Sequence, residues 1–292
     1  MTRTIKALLK TMRPKQWVKN VFLFAALVFD QKLTKWHYVW QAFVGFLLFI
    51  LISGTVYIIN DLIDIEKDRQ HPQKSRRPLA TGELSPKAAF VTAILLTISS
   101  LGLAFWLSPL FTLILSGYLA LQLVYSLRLK NVVLLDVLAL AMGFVLRVAG
   151  GAVLVTAERF SPWLFICMTL GALFLGLGKR RGELVLLGQN AENHRAILKE
   201  YNLPFLDQLL SIITSAFILA YSFYTFSAPN LPKNYTMMLT IPFVIYGLFR
   251  YLYLIQIKNL TLAPDEVLWT DRPIQITAVM WGIIATSILY LA

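Results

Sequence analysis

Nine long apolar runs separated by short polar links are the feature that most constrains this chain. A helix needs about 20 apolar residues to cross the roughly 30 Å of hydrocarbon in a bilayer. The first run is shorter than this, but Trp17 and Trp36 flank it as interfacial aromatic residues flank a span. The sequence therefore predicts an all-α, polytopic membrane protein with about nine transmembrane helices. The runs are residues 18–30, 38–60, 87–107, 109–127, 132–155, 161–180, 206–227, 235–257 and 273–291.

Composition supports the same fold class. The chain is 58% hydrophobic and 14% charged, whereas a soluble domain is about 45–50% apolar and roughly 25% charged. No linker or low-complexity stretch divides it, so we expect a single integral membrane domain over residues 1–292. The basic start of the chain lacks a small-residue cleavage site and does not indicate a removable signal peptide.

The basic residues alternate between the polar links. One set of links carries 6, 6, 2, 5 and 3 Lys and Arg residues, together 22 of the 27 in the chain, and the opposite set carries four. The positive-inside rule then predicts a multi-pass protein of the cell (inner) membrane, with its N-terminus cytoplasmic and its C-terminus outside. The net charge of +12 follows from this topology, and we expect no nucleic-acid partner. The basic links are 1–19, 61–87, 128–131, 179–205 and 250–272.

An acidic cluster closes the second apolar run. Asp61, Asp64 and Asp68 are spaced i, i+3 and i+7, which places them on one face of a helix, whereas Glu66 points almost opposite. Crowded carboxylates repel one another unless a cation lies between them. Mg²⁺ prefers oxygen ligands and usually combines one or two carboxylates with substrate phosphates. A solvated helix end is the alternative, but acids at membrane depth are costly and favour a metal site on these three aspartates, with Asn60 at its rim.

Basic residues follow the acids at Lys74, Arg76 and Arg77. Arginine offers a planar fork to phosphate oxygens, and lysine offers a point charge. Part of this basic link is explained by the positive-inside rule alone. Acids for a metal followed by cations for phosphate nevertheless indicate a site for a metal-bound diphosphate at the cytoplasmic face.

The pattern N-D-x-x-D-x-x-x-D over Asn60–Asp68, followed by R-P-L-A-x-G over Arg77–Gly82, resembles the first aspartate-rich motif of the UbiA-type intramembrane prenyltransferase superfamily. The resemblance implies nine helices around a central cavity and covers essentially the whole chain. It leaves the substrate open.

The chain departs from that superfamily after the sixth run. Where members carry a second aspartate-rich motif, it reads G-L-G-K-R-R-G-E-L over Gly176–Leu184. Lys179 and Glu183, at i and i+4, form either a surface ion pair or a substrate site in which the lysine meets a phosphate and the glutamate orients it or binds a sugar hydroxyl. Together with R-P-K-Q-W-V-K-N over Arg13–Asn20, this segment looks like the polyprenyl-phosphate phosphoribosyltransferase branch.

That branch implies transfer of 5-phosphoribosyl from 5-phosphoribosyl diphosphate to a polyprenyl phosphate of the decaprenyl type, with Mg²⁺ and release of diphosphate. Asp61, Asp64 and Lys179 are then the expected catalytic residues. A lipid phosphate is already ionised near neutral pH, so no strong general base is needed, and His37, His71 and His194 are interpreted as non-catalytic. The expected substrate-binding residues are Lys19, Asn60, Asp68, Lys74, Arg76, Arg77, Tyr125, Arg147, Lys179, Arg180 and Glu183.

Several individual roles stay open. Arg147, buried within a span, has Asp136, an acid of the cluster, or substrate as its candidate partners. Arg13 and Lys15 have two candidate roles, phosphate contact or a position at the membrane interface against lipid headgroups. Tyr125 suits phosphate binding, packing or interfacial anchoring equally. A homo-oligomer in the membrane is compatible with the sequence.

Two other functions fit less well. A UbiA-type enzyme that moves a prenyl group from a prenyl diphosphate to an aromatic or other acceptor would need the second acidic motif. An anion transporter has no evident use for three aspartates on one helix face beside a run of arginines.

Overall fold

The computed structural model of the chain describes residues 2–70, 74–157, 161–187, 196–229, 231–261, 267 and 270–291. Within these ranges the regular structure is entirely helical. The α-helices are α1 (Thr2–Thr11), α2 (Ala25–Phe29), α3 (Trp36–Ile63), α4 (Ile65–Gln70), α5 (Pro78–Thr81), α6 (Pro86–Leu107), α7 (Pro109–Leu127), α8 (Leu135–Leu154), α9 (Pro162–Leu187), α10 (Leu203–Ser227), α11 (Ile241–Gln256) and α12 (Arg272–Leu291). Short 3₁₀ segments cover Pro14–Phe24, Lys74–Arg76, Leu129–Asn131, Ala196–Glu200 and Thr236–Thr240.

Eight helices in the described ranges are long and apolar enough to cross a membrane. They are α3, α6, α7, α8, α9, α10, α12, and α11 taken together with the 3₁₀ segment before it. The all-α, multi-pass prediction is therefore confirmed, whereas the count of about nine is not.

The difference lies in the first predicted span, residues 18–30. There the chain forms the 3₁₀ segment Pro14–Phe24 and the five-residue helix α2 rather than one long helix. Arg13 has a left-handed backbone, with φ at 52°, and ends the helical path of α1. Pro14 then begins the 3₁₀ segment, because its fixed φ suits the first position of a helix.

The chain divides into two compact units. Unit 1 consists of Met1–Leu27, Lys32–Leu127 and Leu146–Ala157, and unit 2 consists of Val28–Gln31, Arg128–Val145 and Glu158–Ala292. The expectation of one domain over residues 1–292 stays a prediction.

In unit 1, α3 packs against α6, α7 and the 3₁₀ segment Pro14–Phe24. The core includes the fully buried side chains of Leu23, Phe49, Phe111 and Leu115. A glycine on α8 allows one close approach, because a Cβ at Gly151 would lie 1.9 Å from the carbonyl oxygen of Leu23. The 3₁₀ segment therefore lies in backbone contact with α8.

In unit 2, α9 packs along α10, and α11 packs against α12. Phe174, Leu177, Leu206 and Ile255 belong to its core. A Cβ at Gly178 would lie 2.3 Å from Tyr251 Oη. This close packing fixes the backbone immediately before Lys179.

Candidate active site

Asp61 is the centre of the acidic cluster in the structure. Its side chain is 2% exposed, and its Oδ1 accepts hydrogen bonds from Arg13 Nη2 at 2.7 Å and from Arg77 Nη1 at 3.0 Å. The Arg13 guanidinium also lies over the ring of Tyr57, 4.6 Å from its centroid. A buried carboxylate strongly destabilises the folded protein unless a positive charge pairs with it. Here the guanidinium groups of Arg13 and Arg77 both pair with Asp61.

Arg77 connects Asp61 to Asp68. The same Nη1 atom donates to Asp68 Oδ2 at 2.6 Å, and the Asp68 side chain is 4% exposed. α3 ends at Ile63 and α4 begins at Ile65, with Asp64 between them at φ −98° and ψ 12°. Backbone hydrogen bonds from Asp64 N to Asn60 O at 3.0 Å and from Asp68 N to Asp64 O at 2.8 Å continue across this break. The helical periodicity therefore persists, and Asp61 and Asp68 share a partner as their spacing predicts, while the place of Asp64 on the same face stays a prediction.

Glu66 lies apart from this pair, as the spacing predicts. Its side chain is 78% exposed and binds Arg69 Nη1 at 2.8 Å. Glu66, which the helical spacing excludes from the predicted metal-binding face, thus forms an ion pair that faces solvent.

The oxygen donors near Asp61 suit a hard cation. Asn60 Oδ1 is buried and accepts no hydrogen bond from the described residues, and a buried polar atom of this kind calls for an explanation. Asp64 is half-buried at the break between α3 and α4. No group of three or more His, Cys, Asp and Glu side chains in the described ranges is gathered to hold a metal. Two carboxylates and an amide oxygen fit the partial shell that Mg²⁺ takes from protein, and the ligand role of all three aspartates stays a prediction.

The other predicted substrate residues of unit 1 differ in their exposure to solvent. Lys74 and Arg76 are exposed, and Lys19 and Tyr125 are half-buried. The carbonyl oxygen of Arg76 accepts a hydrogen bond from Lys10 Nζ at 3.4 Å, so α1 lies beside this basic link. His71 and His194 fall outside the described residues.

Arg147 lies on α8 with 7% of its surface exposed. Its Nε donates to Asn20 Oδ1 at 2.7 Å, and its Nη2 donates to Tyr118 Oη at 2.8 Å. Asp136, which the sequence offered as a partner of Arg147, binds Arg180. Sequence reasoning included Asn20 only as part of a motif and missed Tyr118, because these contacts span 127 and 29 positions.

The three cations at Lys179–Arg181 are in different environments. Arg180 is 1% exposed, and its Nε donates to Asp136 Oδ2 at 2.6 Å while its Nη1 donates to Glu183 Oε2 at 2.6 Å. Lys179 is exposed and makes no ion pair with any described residue. The ion pair that the sequence offered between Lys179 and Glu183 is therefore wrong, since Arg180 takes the glutamate at i+3.

Arg181 is also buried, with 6% of its side chain exposed. Its Nε donates to Asp207 Oδ1 at 2.7 Å, and its Nη1 donates to the carbonyl oxygen of Ile255. Arg181 thus ties α9 to α10 and to the end of α11. No sequence pattern signals this pair, because Asp207 resembles an ordinary surface acid.

Tyr201 completes the network of unit 2. Its hydroxyl donates to Asp136 Oδ1 at 2.7 Å and accepts from the backbone N–H of Leu134 at 2.8 Å. Burial, followed by the hydrogen bond to Asp136, raises the pKa of Tyr201 to about 12. The hydroxyl therefore remains a donor throughout the neutral range. Sequence reasoning missed this residue, which lies 65 positions from Asp136.

The chain is similar to known proteins over most of its length. A family model described as the UbiA prenyltransferase family matches residues 21–267. The chain is 31% identical over 281 residues to a decaprenyl-phosphate phosphoribosyltransferase of Mycobacterium tuberculosis, covering 95% of this chain and 92% of that protein. It is also 31% identical to the protein of that name from Mycolicibacterium smegmatis, with 98% and 93% covered.

Solved structures show a similar fold. A UbiA homolog from Archaeoglobus fulgidus bound to GPP and Mg²⁺ gives a TM-score of 0.73 at 20% identity, with 97% of this chain and 99% of that chain covered.

Proposed function

This chain belongs to the UbiA prenyltransferase family, and from that premise we propose that it transfers the 5-phosphoribosyl group of 5-phosphoribosyl diphosphate to a polyprenyl phosphate. The observation that carries the proposal is the similarity over nearly the full length to proteins named decaprenyl-phosphate phosphoribosyltransferase. We expect Mg²⁺ to be required and diphosphate to be released.

The acidic cluster supports the diphosphate half of this proposal. Asp61, Asp64 and Asp68 are the proposed metal ligands, with Asn60 Oδ1 as a further oxygen donor. When bound there, the metal would neutralise charge that develops on the leaving diphosphate. Arg77 and Arg13, which already contact Asp61, carry guanidinium forks suited to phosphate oxygens.

The cationic segment on α9 supports a phosphorylated sugar as the donor. Lys179 is exposed and has no ion-pair partner in the described part of the chain, so its ammonium group is available to a phosphate. Glu183 offers a carboxylate one turn further along the helix. We propose that both contact substrate, with Arg180 beside them. Lys19, Lys74, Arg76, Tyr125 and Arg147 remain proposed substrate residues of unit 1.

The proposed reaction needs no strong general base from the protein. In the proposed step an oxygen of the lipid phosphate forms a bond to ribose C1 while the bond from C1 to the diphosphate oxygen breaks. C1 gains oxocarbenium character, as in other glycosyl transfers. Because the lipid phosphate is already ionised, the task of the side chains is to orient both substrates and to bind the leaving group.

The membrane orientation is part of the same proposal. The distribution of Lys and Arg supports a cytoplasmic N-terminus, an external C-terminus and a site at the cytoplasmic face of the cell membrane. A cysteine introduced near the C-terminus of a Cys167→Ala protein should react with an impermeant thiol reagent in intact cells. Protection at that position would contradict the orientation.

A transfer assay tests the function directly. The purified protein, radiolabelled 5-phosphoribosyl diphosphate, decaprenyl phosphate and Mg²⁺ should yield a labelled product that partitions into organic solvent. A parallel reaction with geranyl diphosphate and 4-hydroxybenzoate should yield none. If only the second reaction gave product, the donor and acceptor proposed here would be wrong.

A further inference from the structure

Four side chains of unit 2 form an unbroken series of hydrogen bonds that ends at Glu183. Tyr201 Oη donates to Asp136 Oδ1, Arg180 Nε donates to Asp136 Oδ2, and Arg180 Nη1 donates to Glu183 Oε2. The three distances are 2.7, 2.6 and 2.6 Å. Tyr201 and Asp136 are absent from the motif on α9, and the proposed function assigns them no role.

The series changes from buried to exposed along its length. Tyr201 is 5% exposed, Asp136 is fully buried and Arg180 is 1% exposed, whereas the Glu183 side chain is 27% exposed. The first three residues are therefore shielded from any ligand in solution or in the membrane. Only Glu183 presents an atom to the outside.

The two oxygens of Glu183 have different surroundings. Oε2 accepts from Arg180, while Oε1 has no hydrogen-bond partner among the described residues. A carboxylate held by one oxygen has lost much of its rotational freedom, so its other oxygen is pre-oriented as an acceptor. Sugar hydroxyl groups are donors of the kind such an oxygen accepts, and the exposed ammonium of Lys179 lies one helical turn away.

We propose that Tyr201 and Asp136 are positioning residues for Glu183: through Arg180 they hold one oxygen of its carboxylate so that the other accepts a hydrogen bond from a ribose hydroxyl of the phosphoribosyl donor. The proposal rests on the proposed function, which supplies the ribose. It adds two residues, and it assigns Arg180 to orienting Glu183 rather than to contacting phosphate.

Tyr201 and Asp136 are both needed because the two oxygens of Asp136 bind different partners. Tyr201 occupies Oδ1 and leaves Oδ2 to Arg180, which fixes the rotation of the carboxylate. The guanidinium fork is rigid, so the direction of Nη1 toward Glu183 follows from the direction of Nε toward Asp136. Loss of the Tyr201 hydroxyl would remove one restraint on the rotation of the Asp136 carboxylate, and the change would reach Glu183 without breaking any contact that Glu183 itself makes.

A double-mutant cycle separates positioning from simple packing. The variants are Tyr201→Phe, Glu183→Gln and the two combined, each assayed for kcat, for the KM toward the phosphoribosyl donor and for thermal stability. Tyr201→Phe alone should raise this KM about fivefold, the order of one hydrogen bond, with kcat little changed. In the Glu183→Gln background the same change should leave KM unaltered, because Arg180 then holds the single amide oxygen and an NH2 group, which cannot accept, faces the ribose.

Tyr221→Phe is the matched control. Tyr221 is buried in the same unit and hydrogen-bonds Thr240 at 2.6 Å and Trp281 at 2.7 Å. Its loss should lower thermal stability and leave KM unchanged. If Tyr201→Phe does not fold, Arg180→Lys replaces it, since a lysine cannot hold two carboxylates in a fixed fork.

The outcomes are distinct. Equal rises in KM in both backgrounds, or a fall in thermal stability with no change in KM, would overturn the positioning role while the proposed function stands. A wild-type protein that forms no phosphoribosyl lipid would overturn the proposed function and this inference with it.

Discussion

Arg13 Nη2 lies 2.7 Å from Asp61 Oδ1, although 48 positions separate the two residues. The contact joins the end of α1 to the acidic cluster at the end of α3. The sequence offered phosphate or lipid headgroups as partners of Arg13, and the structure pairs it with Asp61 instead. A left-handed backbone at Arg13 directs the chain so that its side chain reaches a buried carboxylate.

Arg13→Gln should therefore act on both stability and activity. Hydrogen bonds to charged groups contribute about 1.5–3 kcal/mol to the free energy of unfolding. Because Arg77 still neutralises Asp61 in the variant, we expect the free energy of unfolding to fall by an amount near the lower end of that range. Transfer activity should fall because Asp61 loses one of its two orienting partners. Lys15→Gln, two positions away with an exposed side chain, is the control and should change neither thermal unfolding nor turnover.

Asp61→Asn should abolish most of the transfer activity. The amide keeps the shape of the side chain but removes one of the negative charges proposed to hold the metal, and we expect kcat to fall by at least about a hundredfold, or about 2.7 kcal/mol. Glu66→Gln provides the comparison, since Glu66 is exposed and paired with Arg69. Comparable losses in the two variants would refute the separation of these acids by helical face.

Removal of the Arg77 guanidinium should make the protein more dependent on divalent cations. Asp61 and Asp68 share Arg77 Nη1, and without it the carboxylates repel each other. Arg77→Gln should lower the melting temperature without metal, and added Mg²⁺ should raise it by more than in the wild type, because a ligand of the folded state stabilises it.

Arg69→Gln is the control for this measurement, because Arg69 is exposed and its ion pair is with the exposed Glu66 rather than with the buried acids. Its Mg²⁺ response should match the wild type. An Arg77→Gln protein with an unchanged or smaller response would show that the guanidinium does not hold the acids together.

The stability that Asp271 contributes to the folded protein should be lost at the acid edge of the pH range. Hydrogen bonds from Arg250 lower the pKa of Asp271 below its usual 3.8, and Asp271 Oδ1 also accepts from the N–H of Ile274 at 3.0 Å at the start of α12. A lowered pKa in the folded state gives a contribution that is present above the usual value and is lost as the pH falls through the folded value. Melting curves from about pH 3 to about pH 6, a range in which aspartate ordinarily titrates, should show a steeper acid loss for the wild type than for Asp271→Asn.

Gly151→Ala should be among the most destabilising small substitutions in unit 1. Its Cβ would lie 1.9 Å from the carbonyl oxygen of Leu23, so the backbone must move, at a cost of about 1–3 kcal/mol or more. Gly117→Ala on α7 is the control, because nothing lies within 4 Å of a Cβ there. The better helix propensity of alanine should leave that variant as stable as the wild type or more so. Thermal unfolding of both in one detergent measures the difference.

The parts of the site that could be predicted from the sequence are those that depend on local periodicity. Asp61 and Asp68 share a partner because seven residues make two helical turns. The apolar runs predicted membrane helices because the length and composition of a run are also local properties of the sequence. Residues 18–30 do not form one long helix, because the chain there takes a 3₁₀ segment followed by the short helix α2, and an apolar run does not reveal this difference.

The partners of the charged residues depend on tertiary contacts instead. Arg13 meets Asp61, Arg147 meets Asn20, and Tyr201 meets Asp136 across 48, 127 and 65 positions. No spacing rule covers such distances. For the same reason the three cations at Lys179–Arg181 look equivalent in the sequence, whereas the fold buries two and exposes one.

The charged groups of Asp61, Asp68, Arg13 and Arg77 together determine the electrostatic field that an approaching polyanion meets. The formal charges of Asp61 and Asp68 cancel those of Arg13 and Arg77, so a motif that looks strongly negative in the sequence is close to electroneutral as a group. A diphosphate that reaches it before any metal meets no net repulsive field from these four residues. The charges of these four residues by themselves therefore set no order in which substrate and cation must bind.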